Sequence, residues 1–214
     1  MQFFRKVTIF ILLFVSFIHL HAQNWDIEQL QKLNNVESTK GYSTFISEST
    51  TQVEIATPLI MGAVAWIKKD DELLKNSIYV CAGLVVNEVF TSELKRKFNR
   101  PRPVVTYPDL IHPYRNLQAL SFPSGHTSSA FNLATSLTLK YPKWYVAVPS
   151  YFWASSVGYS RMNLGVHYPS DVAAGAVLGA GSAYATFLVN NWFWKKMQHK
   201  KLISNKNIWA ENSL

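Results

Sequence analysis

Cysteine is almost missing from this chain. Cys81, inside the apolar run IYVCAGLVV, is the single one, so no internal disulfide can form and the residue reads as a small buried hydrophobe. A thiolate-based phosphate-transfer loop needs an arginine six positions beyond its cysteine, and Asn87 stands there, which closes that route. Charge is also scarce. Asp, Glu, Lys and Arg make up 16% of 214 residues, well below the ~25% usual for a soluble domain. Acidic groups are the scarcer, 13 against 21 basic ones, for a formal charge of +8. Repeats and low-complexity stretches are missing. So is strict polar–apolar alternation, which sets aside half-buried strands.

What remains is apolar and aromatic. Hydrophobic residues reach 48%, with 7 Trp, 10 Tyr and 13 Phe. A basic balance suits nucleic acid, an anionic membrane surface or an anionic substrate. No nucleic-acid motif is present, and much of the excess Lys and Arg flanks apolar segments, so membrane and substrate lead. Residues 1–23 read as a secretory signal or a first membrane helix: Arg5 and Lys6, then apolar Val7 to Leu20, then small Ala22. Residues 24–52 are polar and predict short helix and loop on the external side. Apolar segments follow at about 53–67, 77–92, 127–139, 144–160 and 172–194, too long for strands. They predict an all-α helical bundle over 53–196, with a polar tail over 197–214.

Membrane insertion is predicted from two features. The last apolar segment reaches the roughly 20 residues a span requires, and its Gly175 and Gly179 make a small-xxx-small surface for close helix packing. Charge also sorts between alternate segment ends. Arg5/Lys6, Lys68/Lys69, Lys140/Lys143 and Lys195/Lys196 fall on one side, the pattern of a cytoplasmic face. The expected architecture is a polytopic bundle of about five to six apolar helices. Against it stand the short 53–67 segment, Glu88 within 77–92 and a mean hydropathy of only +0.01.

Three blocks carry chemistry, and the charge pattern puts all of them on the opposite, external side. In KRKFNRPRP (Lys95 to Pro103), the prolines stop the helix and hold Arg100 and Arg102 extended. Lys95 then sits on the last helical turn and Arg102 on a stiff strut, a point charge and a fork for phosphate oxygens. Which of Arg96, Lys97 and Arg100 point elsewhere is not legible from the block. In PSGH (Pro123 to His126), Ser124 and Gly125 open a helix whose first N–H groups face outward, an anion site, with His126 placed to donate a proton. In SRMNLGVHYPSD (Ser160 to Asp171), Asp171 lies four positions after His167 and suits a helix start after Pro169. The carboxylate would hold one imidazole nitrogen and leave the other free as a nucleophile, while Arg161 supplies a second fork. Alone, each block reads more simply: a solvated basic run, a helix-start turn, a structural histidine.

Together the blocks resemble the type 2 phosphatidic acid phosphatase superfamily, membrane branch: Lys95, six residues, Arg102-Pro103; Pro123-Ser124-Gly125-His126; Ser160-Arg161, five residues, His167, three residues, Asp171. The resemblance covers residues 53 to 194. It implies metal-independent, cofactor-free hydrolysis of a phosphate monoester or pyrophosphate, of a lipid or another phosphate ester. In that reading His167 attacks phosphorus and forms a phosphohistidine. His126 protonates the leaving group and later activates water, and Asp171 orients His167. Lys95, Arg102, Arg161, Ser124 and the Gly125 N–H hold the phosphate oxygens. The expected setting is a bacterial-type inner membrane, with membrane lipids around the chain and the site on the periplasmic face. Alternatives are a soluble periplasmic acid phosphatase, a vanadate haloperoxidase and a non-catalytic lipid-binding membrane protein.

Overall fold

The computed structural model describes residues 25–34, 36–115 and 119–211, with side chains to residue 197. The expected leader or first membrane helix lies outside the described residues. Every described element is a helix. A short α1 (residues 25–33) precedes α2 (Val36–Lys68), α3 (Asp71–Phe98), α4 (Pro103–Thr106), α5 (Gly125–Lys140), α6 (Trp144–Asn163) and α7 (Pro169–Glu211). The five predicted apolar segments are the second half of α2, then α3, α5, α6 and α7.

Local chemistry explains where helices start and stop. The Asp70 carboxylate caps α3, accepting from the N–H groups of Glu72 and Leu73 at 3.0 and 2.9 Å. α3 ends at Asn99, which takes the left-handed conformation (φ 44°) just before Pro101. α2 and α3 are joined by a tight reversal through Lys69 (φ 55°).

The polar stretch 24–52 departs from the expected short helix and loop. Its second half is continuous with the apolar helix, so α2 runs for 33 residues. Hydroxyls hold it, together with Ile46, which packs against buried Ala130, Ala134, Ala154 and Val157. Thr39 and Ser43 both donate to Asn163 Oδ1 at 2.7 Å, and Ser47 meets Arg161.

α5 lies at the centre and shares its largest interface with α7. Two α7 glycines permit this. A Cβ at Gly175 would sit 2.7 Å from the Ser124 carbonyl oxygen, and one at Gly179 would sit 2.0 Å from that of Ser128. The interior between α3, α5 and α7 is small and polar. Ser128 and Ser182 donate to Asn87 Oδ1 at 2.6 and 3.0 Å, Asn132 Nδ2 donates to Ser182 at 2.9 Å, and all four residues are buried.

Large apolar side chains point outward instead: Trp66 is 83% exposed, Trp144 77%, Val177 75% and Phe152 71%. An apolar surface of this extent belongs against lipid, and the bundle is a polytopic membrane architecture. Asp71–Thr106 and Pro169–Met197 are each long and apolar enough to cross a bilayer by themselves. Cys81 corrects an expectation. It is exposed, beside Ile55, Leu59 and Val85 in an apolar groove between α2 and α3, because the outer face of α3 is apolar and turned away from the core.

The antiparallel order separates the two ends of the molecule. Lys75 stacks on Trp194 and Lys140 on Tyr79 and Phe187 at one end. The three motif blocks meet at the other.

Candidate active site

The turn between α6 and α7 aims His167. Gly165 takes φ +67° there, and a Cβ would strike Asn34 and Ile111 at 2.9 Å, so the turn requires glycine. His167 N–H donates to the Arg161 carbonyl at 3.3 Å, and the imidazole is 2% exposed. Its two nitrogens face different partners. Nδ1 lies 3.4 Å from Asp171 Oδ2, long for a hydrogen bond but within ion-pair range. Nε2 lies 3.4 Å from a terminal nitrogen of Arg102.

Asp171 is fully buried and surrounded by donors. Oδ2 accepts from the Tyr168 N–H at 2.9 Å and from the Ser121 hydroxyl. Oδ1 accepts from Arg100 at 2.7 Å. Arg100 reaches on to Asp26 Oδ2 at 2.8 Å, and Asp26 Oδ1 accepts from the Ser170 N–H at 3.0 Å.

Three cations at this end of the bundle have no carboxylate ion pair among the described residues, and one of them, Arg102, reaches the free edge of His167. Lys95 donates to the Leu120 carbonyl at 3.0 Å. Arg102 donates to the carbonyls of Ala119 and Val166, each at 2.8 Å. Arg161 meets the Ser47 hydroxyl, while its buried Nε has no partner. These three charges act together on His126, the second residue of α5. Burial first, then Arg161, Arg102 and Lys95, push the His126 imidazole down to about 3. His167 is lowered to about 3 as well, by burial foremost; Asp171 pulls the other way, while Arg161 and Arg102 add to the depression. Both shifts favour the neutral imidazole at neutral pH.

Ser124 is the N-cap residue of α5. Its N–H donates to the Asp171 carbonyl at 3.0 Å, which ties the two helix starts together. Its hydroxyl pairs with Thr127 at 2.8 Å rather than with the helix backbone. Around Gly125 the nearest side-chain atoms are Thr91 Cγ2 and Lys95 Cε, at 3.7 and 3.9 Å from a Cβ position. The opening is a cavity of ≈ 510 Å³ lined by Ser47, Glu48, Gln52, Tyr114, Arg115, His126 and Arg161.

All eight predicted residues (Lys95, Arg102, Ser124, Gly125, His126, Arg161, His167 and Asp171) therefore belong to one end of the bundle. The undecided cations of the first block separate cleanly. Arg96 pairs with Glu93 in solvent, Lys97 is exposed, and Arg100 turns inward. Sequence reasoning missed Asp26, Ser121 and Ser47. Nothing in the polar stretch around Asp26 marks it, and Ser121 lies just outside the PSGH block.

The chain is similar to known proteins in both sequence and fold. The family model described as the PAP2 superfamily matches residues 76–195. The undecaprenyl-diphosphatase of Sulfolobus acidocaldarius is 37% identical over 171 residues, 78% of this chain and 79% of that protein. The lipid A 4'-phosphatase of Bacteroides thetaiotaomicron is 24% identical over 164 residues, 68% of this chain and 73% of that protein. Against six other curated relatives the chain spans 46 to 63% of their length. Among solved structures, the transmembrane PAP2-type phosphatidylglycerolphosphate phosphatase of Bacillus subtilis superposes with a TM-score of 0.62 at 24% identity, covering 89% of this chain and 95% of that one.

Proposed function

This chain belongs to the PAP2 superfamily, and we propose on that footing that it is a membrane phosphatase hydrolysing the phosphate monoester or pyrophosphate of a lipid through a phosphohistidine. The observation that carries the reading is the contrast between two kinds of cation. Arg100 is matched by two carboxylates, whereas Lys95, Arg102 and Arg161 form no ion pair with a carboxylate among the described residues. Their unmatched positive charge beside a buried imidazole suits a phosphate dianion.

The proposed steps use only these residues. The phosphate oxygens settle among Lys95, Arg102 and Arg161, the Ser124 hydroxyl and the Gly125 N–H at the start of α5. Asp171 holds His167 Nδ1, so Nε2 keeps its lone pair and attacks phosphorus. The bond from phosphorus to the leaving oxygen breaks, and His126 gives that oxygen a proton. His126 then takes a proton from water, whose oxygen attacks phosphorus and frees His167. The same three cations bind the transferring group while its charge is spread over the equatorial oxygens. His126 enters as an acid only after protonation. Burial is the larger cause of the depression and the cations add to it; a bound dianion works against both by favouring the charged imidazolium.

The charge pattern supports a site on the external face. Lys68, Lys69, Lys140 and Lys143 lie at the opposite ends of α2, α5 and α6, and Lys195 and Lys196 lie within α7 beyond its apolar stretch. The experiment is phosphate release from the detergent-solubilised chain across phosphatidate, phosphatidylglycerophosphate, polyprenyl pyrophosphates, lipid A and soluble phosphate esters, with His167→Ala beside the native chain. Turnover of a lipid phosphate and its loss in His167→Ala are expected. Near-native turnover in a folded His167→Ala removes the nucleophile assignment.

A further inference from the structure

We propose that Arg100 and Asp26 act as a positioning pair for the reaction, fixing both the orientation and the charge of Asp171 and through it the nucleophile. The proposal rests on His167 being that nucleophile. Neither residue belongs to the recognised motif pattern, and Asp26 lies fifty residues before the family match begins.

The geometry is a continuous line of charge: Asp26, Arg100, Asp171, His167. One terminal nitrogen of Arg100 meets Asp26 Oδ2 at 2.8 Å, and the other meets Asp171 Oδ1 and the Ser170 hydroxyl, each at 2.7 Å. Ser170 closes a ring by donating its N–H to Asp26 Oδ1 at 3.0 Å and its hydroxyl to Oδ2. The guanidinium also lies 4.0 Å from the ring centre of Tyr168, the residue after the nucleophile. Asp26 and Asp171 are 1% and 0% exposed. Arg100 thus cross-links α1, the start of α7 and the turn that carries His167.

Charge counting explains why two carboxylates are present. A lone Arg100–Asp171 pair would be neutral. It would do little to offset the imidazolium-like charge that develops on His167 during attack. With Asp26 the triplet carries one net negative charge beside His167. Asp26 occupies one end of the fork, and Asp171 stays anionic while held in a fixed direction. The substrate-side cations Lys95, Arg102 and Arg161 make no contact with Asp26, so substrate binding is left alone.

The test is steady-state kinetics on the full-length solubilised chain. The probe is phosphatidate or farnesyl pyrophosphate in mixed micelles, whichever the native chain turns over faster. Asp26→Asn preserves shape and removes only charge. It should lower kcat roughly tenfold or more with KM unchanged, on the scale seen when outer groups that orient a reactive ligand are lost. Arg100→Lys should do the same, since an ammonium cannot fork between both carboxylates. In the Arg100→Lys background, adding Asp26→Asn should cost little more. Arg96→Gln, at the exposed pair, should match the native chain. If Asp26→Asn does not fold, Arg100→Lys alone decides. Native kcat in a folded variant of either residue overturns the positioning role, as does a fall in thermal stability with kcat retained. An active His167→Ala refutes the nucleophile assignment separately from these outcomes.

Discussion

Adding a single methyl group at Gly179 should damage a site it does not touch. A Cβ there would lie 2.0 Å from the Ser128 carbonyl oxygen and 2.9 Å from the Asn132 nitrogen. Both obstacles are backbone atoms of α5, so no rotamer change relieves the clash. Carbon–oxygen contacts settle near ~3.3 Å, so α7 must retreat from α5 by about 1 Å or more. Overpacking typically costs about 1–3 kcal/mol, and a clash against rigid backbone belongs at the upper end. In a domain of this size about 3 kcal/mol lowers Tm by roughly 6–12 °C. The retreat also pulls on chemistry, because α7 carries Asp171 and the Ser124 N–H is bonded to the Asp171 carbonyl at 3.0 Å. Misplacing reacting groups by about 1 Å costs on the order of 100-fold in rate. The assay is thermal unfolding in detergent together with kcat measured well below Tm. Gly181→Ala is the internal control, since a Cβ at Gly181 meets nothing within 4 Å. It should be neutral, or stabilising by up to about 1 kcal/mol from helix propensity. If Gly179→Ala matches Gly181→Ala in both Tm and kcat, the close-packing argument is wrong.

Other expectations concern the charges. Arg102→Lys loses the fork that spans the Ala119 and Val166 carbonyls, and kcat/KM should fall roughly 100-fold; unchanged kinetics would take Arg102 out of the site. Acid should destabilise the protein early. His126 and His167 are held near 3 against 6.5 for a free imidazole, so below pH 6.5 the unfolded chain takes up protons that the folded chain refuses. Stability should therefore fall from pH 6.5 toward 3, by up to about 1.4 kcal/mol per pH unit for each histidine; a Tm flat across that window refutes the assignment. Inorganic phosphate at neutral pH should raise Tm by binding the folded state alone, and the rise should vanish in Arg161→Ala if that guanidinium belongs to the cradle.

The parts of this molecule legible in the sequence are those encoded locally. Pro101 and Pro103 terminate α3, PSGH opens α5, and the His167–Asp171 spacing places two partners on one turn, all within a few residues. Apolar segment lengths likewise revealed the helices. Asp26 and Arg100 were not legible, because their contact joins residues 74 positions apart and a buried aspartate looks like any other aspartate in a polar stretch. The same reason hid the first half of α2. Its anchors are Ser43 and Ser47, whose partners lie in α6 more than a hundred residues away, so apolar periodicity is weak where the helix is well held. Cys81 misled in the opposite sense, since an apolar context signals burial only when the outside is water.

The amides and hydroxyls around Asn87, Ser128, Asn132 and Ser182 act as addresses. In lipid an apolar side chain is as comfortable against a tail as against a neighbouring helix, so it carries no instruction about which helix belongs where. A hydrogen-bonded amide does carry one, because sliding or rotating its helix strands a polar group in oil. The bundle thus inverts the usual division of information. Its outer face is interchangeable among apolar residues, while its register is written in a few polar atoms one helical layer below the proposed phosphate cradle.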